Sequence, residues 1–352
     1  MAEIAGGFVQ TVLGPVRPES LGPTLPHEHL IKDSVLEDLP QFEPASERHG
    51  WDLPITLENA YDVRRNWNFY RTNIRLTSVE DAAEAAAIYA SHGGGCIVDV
   101  TSNGLCRDPK ALARVSRMSR VHVVMGGSWY VYQYHPSWIA DASEEELTEI
   151  IVREYREGAE VDRSIKPGII GEVGLTWPVH PDEEKVLRAS ARAQVETGLA
   201  LTIHPGRDPE APMQAVRVVE DAGGDVSRTV IDHLDRTIDD VAKLIELAKT
   251  GCYLEFDLFG LESAYYPWSE IDMPNDAMRV KFMAALAEAG YLGRLLASHD
   301  VDMKARLRKY GGEGYEHLLA HVVPIMHKKG FTDGDVHTVL TKNPTEMLTI
   351  AA

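Results

Sequence analysis

Eight short apolar segments with strand-forming composition recur along the chain, separated by stretches of helical length. Near-continuous apolar strands that alternate with helices usually pair in parallel and are covered by those helices. Eight such units in 352 residues favour a single-domain α/β protein closed into a (β/α)8 TIM barrel. An open doubly wound sheet more often carries a GxGxxG turn, which the sequence lacks. The eight predicted strands are residues 24–30, 95–102, 121–130, 168–175, 199–206, 228–235, 252–259 and 294–300.

Amphipathic stretches with helical periodicity lie between these strands. Ser143 directly precedes three glutamates and is a typical N-cap, and we expect another helix to open at Asp182, just after Pro181. The predicted helices include residues 78–91, 144–157, 182–196, 213–221, 238–249 and 277–289.

One long irregular stretch, residues 33–77, separates the first strand from its helix. It contains the aromatic residues Trp51, Tyr61, Trp67 and Tyr70. We expect an insertion that covers one end of the barrel. It can be either a packed structural element or a mobile lid, and packing is the more frequent role of such an aromatic-rich stretch.

The balance of charges limits the partners of the chain. Lys and Arg number 35 against 54 Asp and Glu, which gives a formal net charge of −19. Such a chain repels a polyphosphate backbone, so we expect no nucleic-acid partner. No apolar run reaches the roughly 18 residues of a membrane span, and the N-terminus shows no signal peptide. Three cysteines without a CxxC pair suit a reducing compartment, and we expect a cytoplasmic protein.

The chemically informative residues lie at the carboxyl ends of the predicted strands, where barrel enzymes build their active sites. Side chains two apart on a strand share a face, so both histidines of the HEH triplet can point into the barrel mouth. Four imidazoles and two carboxylates suit two borderline cations such as Zn²⁺, Mn²⁺ or Co²⁺. Any one of these residues alone is more often a hydrogen-bonded barrel residue, but their recurrence favours a metal site. The six candidate ligands are His27, His29, Glu172, His204, His233 and Asp300.

The motifs LGPTLPHEHL, IIGEVGLTWP, LTIHPGR, VIDHLDRT, LLASHD and GGEGY resemble the phosphotriesterase family of the amidohydrolase superfamily, and most of all its phosphotriesterase-related branch. The similarity extends from residue 9 to residue 348. It implies that His27, His29 and Asp300 hold a buried metal, that His204 and His233 hold a more exposed one, and that a carboxylate bridges the two. It also implies that Asp300 takes a proton from a bridging hydroxide and that the protein is a homodimer.

Glu172 departs from the phosphotriesterases themselves, which bridge their metals with a carbamylated lysine. Lys166 cannot replace that lysine, because it lies six residues upstream at the opposite end of the strand. The phosphotriesterase-related branch also has glutamate here. The resemblance therefore implies metal loading without CO₂ and argues against efficient organophosphate hydrolysis.

The resemblance implies a binuclear metal-dependent hydrolase that uses a metal-bridging hydroxide to cleave a small amide, such as an N-acyl amino acid or an N-acyl taurine. One alternative keeps this site but cleaves a lactone or carboxylic ester, with weak phosphotriesterase activity. Another is a metal-stabilised ligand-binding protein without turnover. The presence of Asp300 beside all five other candidate ligands argues against that last alternative.

Residues that follow the strand ends are candidates for contacting a small-molecule substrate, which can be anionic. Arg207 could hold a carboxylate or sulfonate through a two-pronged hydrogen bond, or it could pair with the adjacent Asp208. Trp129, Tyr130 and Trp177 could wall an apolar subsite, although core packing is the more frequent role of such aromatics.

Two weaker features remain. Asp257, in the seventh strand, is a candidate for orienting a ligand histidine. The last loop carries a basic cluster that could attract an anionic substrate or simply form a solvated face. That cluster consists of Lys304, Arg306, Arg308 and Lys309.

Overall fold

The structure is a computed structural model that describes residues 7–35, 50–262, 266 and 271–351. Its strands are β1 Val9–Thr11, β2 Gly14–Val16, β3 Thr24–Glu28, β4 Lys32–Asp33, β5 Arg75–Leu76, β6 Cys96–Asp99, β7 His122–Met125, β8 Ile170–Gly174, β9 Leu201–His204, β10 Thr229–Ile231, β11 Tyr253–Phe256 and β12 Leu295–Ala297. Its α-helices are α1 Ala60–Arg65, α2 Val79–Ser91, α3 Pro109–Ser119, α4 Glu144–Glu157, α5 Pro181–Thr197, α6 Ala211–Asp221, α7 Val241–Ala248, α8 Asp276–Glu288, α9 Val323–Lys328, α10 Asp333–His337 and α11 Asn343–Leu348. Within these residues, no helix has both the length and the apolar character that crossing a bilayer requires.

The barrel consists of β3 and β6 to β12, all parallel. Two ladders, β3-β6-β7 and β8-β9-β10-β11-β12, contain its strands. Backbone hydrogen bonds join these ladders at both seams. The Gly168 N–H donates to the Met125 carbonyl at 2.9 Å, and the Asp300 N–H donates to the His27 carbonyl at 3.2 Å. The (β/α)8 barrel predicted from the alternation of segments is therefore confirmed.

An apolar cluster fills the barrel interior away from the strands' carboxyl ends. Val98, Val124, Val230 and Leu296, from four different strands, are all buried in it. A second and larger cluster lies between the strands and the surrounding helices. The candidate ligands lie at the opposite, carboxyl end of the barrel strands.

The observed helices begin where capping groups are available. The Ser143 side chain accepts from the Glu146 N–H in a capping box, as expected. The helix expected to open at Asp182 begins one residue earlier, at Pro181, because His180 is the N-cap. The helix predicted for residues 238–249 spans only Val241–Ala248, because the Asp240 side chain accepts from the Ala242 N–H and sets the start there.

The predicted insertion, residues 33–77, is described except for residues 36–49, which lie outside the described residues. It contains α1, and β5 pairs with β4 in antiparallel fashion. Asn73 joins it to the loop after β12, because its carbonyl accepts from the Lys304 N–H at 2.8 Å and its Oδ1 accepts from the Ala305 N–H at 2.8 Å. The described part of the insertion thus packs against the loop that follows the last barrel strand.

Candidate metal centre

The six predicted ligands converge at the carboxyl end of the barrel. His27 lies on β3, Glu172 on β8 and His204 at the end of β9. The other three ligands follow the ends of β3, β10 and β12. All four imidazoles and the Glu172 carboxylate are buried. Residues separated by up to 273 positions in the chain therefore meet in one place.

The Glu172 carboxylate lies between two pairs of histidines. Its Oε1 is 3.2 Å from His29 Nε2 and 3.9 Å from His27 Nε2. Its Oε2 is 2.9 Å from His204 Nδ1 and 3.8 Å from His233 Nε2. Each oxygen faces one pair, which is the arrangement that a carboxylate shared by two cations requires.

Asp300 lies on the side of the first histidine pair. Its Oδ1 is 3.3 Å from His29 Nε2 and 3.8 Å from His27 Nε2. Its backbone is left-handed, with a φ of 52°, which is uncommon for a residue other than glycine. The structure thus places Asp300 beside His27 and His29, the two residues with which the resemblance groups it.

Burial and the neighbouring imidazoles shift the pKa of the two acidic ligands in opposite directions. Burial alone would raise the pKa of Glu172, but hydrogen bonds with His204, His233 and His29 lower it well below its usual value. The pKa of Asp300 is lowered in the same way, against burial, by the hydrogen bond with His29 and by the nearby imidazoles. Both carboxylates are therefore anionic at neutral pH and attract cations.

In two of the histidines, the ring nitrogen that faces away from Glu172 has a hydrogen-bond partner. His29 Nδ1 is 2.8 Å from Thr101 Oγ1, and His233 Nδ1 is 2.7 Å from Asp257 Oδ1. Asp257 therefore contacts a candidate ligand as expected, and its Oδ2 also accepts from the His233 N–H. Such contacts place the ring proton on Nδ1 and direct each Nε2 toward Glu172.

The fit of this cluster to a metal can be tested on His27. Both of its ring nitrogens are buried and lack a hydrogen-bond partner, which is costly in a protein interior. Tetrahedral Zn²⁺ with bonds of about 2.0–2.1 Å separates its ligand atoms by roughly 3.3 Å. The distances from His27 and His29 to the two carboxylates are 3.2–3.9 Å. The donor types, their spacing and the unsatisfied imidazole all fit a divalent cation.

Three further carboxylates lie beneath the centre, and two of them, Asp232 and Glu255, were not singled out from the sequence. His27 Nδ1 is 3.4 Å from Asp232 Oδ2, 3.6 Å from Asp257 Oδ2 and 4.0 Å from Glu255 Oε2. Asp232 Oδ2 and both Glu255 oxygens have no hydrogen-bond partner. Burial and the adjacent carboxylates raise the pKa of Glu255 well above its usual value. In the sequence, Asp232 and Glu255 could have been recognised as acidic residues within predicted core strands.

Glu28, between the two histidines of β3, holds the loop that carries Asp300. Its Oε1 accepts from Ser298 Oγ at 2.8 Å and from the N–H and Nδ1 of His299 at 2.9 and 2.7 Å. Its Oε2 accepts from the Val301 N–H at 2.8 Å. Because the amides on both sides of Asp300 are bound, Glu28 stabilises the left-handed backbone at that residue.

A cavity of about 460 Å³ opens above the centre. Tyr130 and Arg207 line it, as do Trp67 and Asn68 from the insertion. The Tyr130 hydroxyl is 3.3 Å from His204 Nδ1. The insertion therefore contributes to the surface that a substrate meets.

Trp129 and Trp177, the other two aromatics expected to wall a subsite, are not among the residues that line this cavity. Trp129 is 2% exposed and packs edge-on against Trp138, with ring centroids 5.6 Å apart. Trp177 is 43% exposed on the surface. Trp129 thus has the core-packing role that is the more frequent one for such aromatics, and Trp177 lies at the surface outside the lining of this cavity.

Arg207 does not form the ion pair with Asp208 that was its alternative role. Its Nε donates to the Tyr266 hydroxyl at 2.9 Å, and it forms no ion pair within the part of the chain that the structure describes. The basic cluster of the last loop is instead largely neutralised. Arg306 pairs with Glu313, Arg308 with Glu316 and Lys309 with Asp81.

Arg236, three residues after His233, is a cavity residue that sequence reasoning missed. It is 2% exposed although it carries a guanidinium group. The signal was a basic residue directly after a predicted strand. Its burial was not readable from the sequence, because it depends on the left-handed backbone of His233, with a φ of 54°, and on the 3-10 turn Leu234–Arg236.

A family model, sequence relatives and solved structures all match this chain over almost its whole length. The model of the phosphotriesterase family matches residues 7–348. The chain is 42% identical to the N-acetyltaurine hydrolases of Tetraodon nigroviridis and Homo sapiens, over 97% of this chain and 98% of each relative. Among solved structures, a resiniferatoxin-binding protein from Rhodobacter sphaeroides superposes with a TM-score of 0.92 at 35% identity, covering 97% of this chain and 95% of that one.

Proposed function

The chain belongs to the phosphotriesterase family of metal-dependent hydrolases, and we propose that it cleaves the amide bond of an N-acyl taurine or a closely similar N-acyl amino acid. Relatives at 42% identity over almost the whole chain are N-acetyltaurine hydrolases, which supports this substrate class. The observation that carries the chemistry is the position of Glu172, with one oxygen facing each of two histidine pairs.

We propose that the centre holds two divalent cations. His27, His29 and Asp300 would hold one, His204 and His233 the other, and Glu172 would touch both. Zn²⁺ suits imidazole and carboxylate donors best, and Mn²⁺ or Co²⁺ suit the same set. When bound, such cations lower the pKa of a shared water from about 15.7 toward 7 and polarise a carbonyl oxygen.

Asp300 is the residue that moves protons in this proposal. Its lowered pKa keeps its carboxylate free to accept a proton from the attacking water, and it lines the cavity in which the amide would lie. It can then deliver that proton to the departing nitrogen. This step matters because an amine leaves poorly as an anion. Glu28 holds the backbone on both sides of Asp300 and so fixes the direction of the carboxylate.

Tyr130 and Arg207 are the proposed substrate contacts. The Tyr130 hydroxyl lies beside His204, where it can donate a hydrogen bond to the oxygen of the scissile carbonyl. Arg207 lines the same cavity and presents a planar, permanently charged group. Together they would orient a small molecule that has a polar centre and an anionic end.

A substrate panel tests the proposal. Purified protein loaded with Zn²⁺ is assayed against N-acetyltaurine, N-acetyl amino acids, simple lactones and an aryl phosphotriester. We expect the N-acyl substrates to be cleaved fastest. Rapid lactone opening with amide turnover no faster than buffer would support the esterase alternative instead.

The variant Asp300→Asn separates catalysis from simple binding. We expect it to lose turnover while calorimetry still shows binding of N-acetyltaurine. If neither the wild type nor the variant turns over any substrate while both bind N-acetyltaurine equally, the chain is a ligand-binding protein and the proposal fails.

A further inference from the structure

Four cationic side chains line the cavity, and they fall into two groups. Lys32 and Arg306 have carboxylate partners, because Lys32 Nζ is 3.5 Å from Asp302 and Arg306 pairs with Glu313. Arg207 and Arg236 have no carboxylate partner within the part of the chain that the structure describes. Among the residues that the structure describes, two of the four positive charges that face the cavity therefore lack a counter-ion.

Arg236 is the more constrained of these two residues. Its Nη1 donates to Thr237 Oγ1 at 3.1 Å, and its Nη2 donates to the Pro205 carbonyl at 3.1 Å. Both of these acceptors are neutral. A guanidinium that is 2% exposed and has only neutral acceptors is costly, unless an anion completes the site.

The third contact of Arg236 is with His204. Nη2 lies 3.1 Å from His204 Nε2, while His204 Nδ1 faces Glu172 at 2.9 Å. A histidine that ligates through Nδ1 keeps its ring proton on Nε2 and cannot accept a hydrogen bond there. If His204 ligates a cation through Nδ1, the Nη2 hydrogen of Arg236 that is not bound to the Pro205 carbonyl has no acceptor among the described residues and is available to a ligand.

Arg207 faces the same part of the cavity. It follows His204 by three residues, and its Nε donates to the Tyr266 hydroxyl, which leaves the terminal nitrogens of the guanidinium for other acceptors. Arg207 and Arg236 both line this one cavity. An anion bound between two like charges offsets their mutual repulsion.

We infer that Arg236 and Arg207 form a two-arginine subsite for the anionic end of the substrate's amine half, a sulfonate or a carboxylate. Both groups offer several oxygens to the forked donors of a guanidinium. The inference rests on the proposed function, because in an N-acyl taurine or N-acyl amino acid the charged group is on the amine half. It makes the substrate's anion a required part of recognition and assigns Arg236 as a specificity-determining residue.

The test compares substrates that differ only in this end. N-acetyltaurine carries a sulfonate, N-acetyl-β-alanine a carboxylate at the same spacing, and N-acetylethanolamine no charge. The ratio of kcat/KM between each anionic substrate and the neutral one is measured for the wild type, Arg236→Gln, Arg236→Lys and Arg207→Gln. Arg217→Gln, which removes an exposed arginine from α6, is the matched control for the change in net charge.

We expect Arg236→Gln to lower the anionic-to-neutral ratio by about 30-fold or more, as the loss of a buried charge contact does. Arg207→Gln is expected to lower it less, because Arg207 is more exposed. Arg236→Lys restores part of the ratio, and Arg217→Gln leaves it unchanged. A merely structural role for Arg236 would lower both rates together and leave the ratio as in the wild type, which would overturn the inference.

Calorimetric binding of taurine and β-alanine gives a readout that does not depend on turnover. Wild-type protein should bind taurine, and Arg236→Gln and Arg207→Gln should each weaken that binding. If the protein cleaves amides but does not distinguish charged from neutral substrates, the subsite is wrong and the proposed function stands. If no amide is cleaved but taurine binds through the arginines, the subsite stands and the proposed function is wrong. Should Arg236→Gln fail to fold, Arg207→Gln and Arg236→Lys decide the question.

Discussion

At the scale of single residues, the geometry of the centre depends on side chains that never touch a substrate. Glu28 is the clearest example, because it binds the amide groups on both sides of Asp300 and the imidazole of His299. The carboxylate that we propose as the proton acceptor is therefore held by a residue from a different strand. The position of the Asp300 carboxylate should therefore be sensitive to small changes at Glu28.

We predict that Glu28→Gln lowers kcat by about 10–100-fold, as the loss of an outer contact in a metal site does. The amide NH₂ of glutamine would face either the Val301 N–H or the donors of Ser298 and His299, so one side of the Asp300 loop would lose its acceptor. Zinc content, measured by plasma mass spectrometry, should stay as in the wild type. An unchanged kcat with an unchanged metal content would contradict a positioning role.

A second prediction at this scale concerns the carboxylate of Glu172. Because a glutamate needs no carbamylation, reconstitution of metal-free protein with Zn²⁺ in CO₂-free buffer should restore full activity. Lys166→Met should behave as the wild type, since Lys166 donates to the Arg156 carbonyl at the opposite end of the strand. Recovery that requires bicarbonate would show that Glu172 does not bridge the metals.

The candidate ligands could be proposed from sequence because each stands at the end of a recognisable strand, where side-chain direction follows from strand geometry. Arg236 could not be placed in the same way. A 3-10 turn directs its side chain back over His204, and turns of that kind have no simple periodicity. Asp232 and Glu255 needed the closed barrel before their convergence beneath His27 could be seen.

At the scale of secondary-structure elements, a charged side chain at the start of α8 links this helix to neighbouring segments. Asp276, the first residue of α8, accepts from the Gly260 N–H at 2.9 Å, from Arg279 Nη1 at 3.0 Å and from His317 Nε2 at 2.7 Å. It therefore joins the loop after β11, α8 and the C-terminal segment. Burial alone would raise its pKa, but these contacts lower it overall.

This shift predicts the direction of an acid effect on stability. A carboxylate whose pKa is lower in the folded state stabilises the fold at neutral pH, and that contribution is lost as the pH falls below about 4. Asp276→Asn should therefore reduce the free energy of unfolding at pH 7 and flatten its dependence on pH below 4. Urea unfolding at several pH values measures both effects. The exposed Asp239→Asn is the control, and equal pH slopes in wild type and Asp276→Asn would contradict the prediction.

Helix existence was more predictable than helix boundaries. The periodic pattern located helices in the right places because apolar faces must pack on the barrel. The start of α7 differed by three residues from the predicted 238, since the cap at Asp240 competes with the residues before it. The placement of the whole insertion over the barrel end stays a prediction, and its contact with the loop after β12 was not readable from the sequence because it depends on long-range pairing through Asn73.

At the scale of the whole molecule, the barrel fold brings many like charges into one buried region. Glu172 and Asp300 face the histidines from above, and Asp232, Glu255 and Asp257 lie below them. Cations at this point offset that concentration of negative charge. Folding and metal binding should therefore be linked through the centre of the barrel.

We predict that removing the metals with a chelator lowers Tm and that adding Zn²⁺ restores it. One ion present at about a thousand times its Kd stabilises the folded state by about 4 kcal/mol, which in a chain of this size corresponds to several degrees. Differential scanning calorimetry checks the shift. A Tm that does not respond to chelation would contradict the linkage.

The overall architecture was the most predictable property, because eight alternating units leave few alternatives to a closed barrel. The homodimer implied by the resemblance stays a prediction, and so does the cytoplasmic location. Self-association depends on surface complementarity that has no periodic signature in the chain. Light scattering during size-exclusion chromatography would measure the molar mass directly.

We propose above that six residues from five barrel strands hold a pair of cations around one glutamate. Anomalous diffraction at the zinc edge from crystals of the Zn²⁺-loaded protein tests it most directly. We expect two peaks per chain, about 3.5–4 Å apart, one on each side of the Glu172 carboxylate. A single peak, or none between the two histidine pairs, would contradict it.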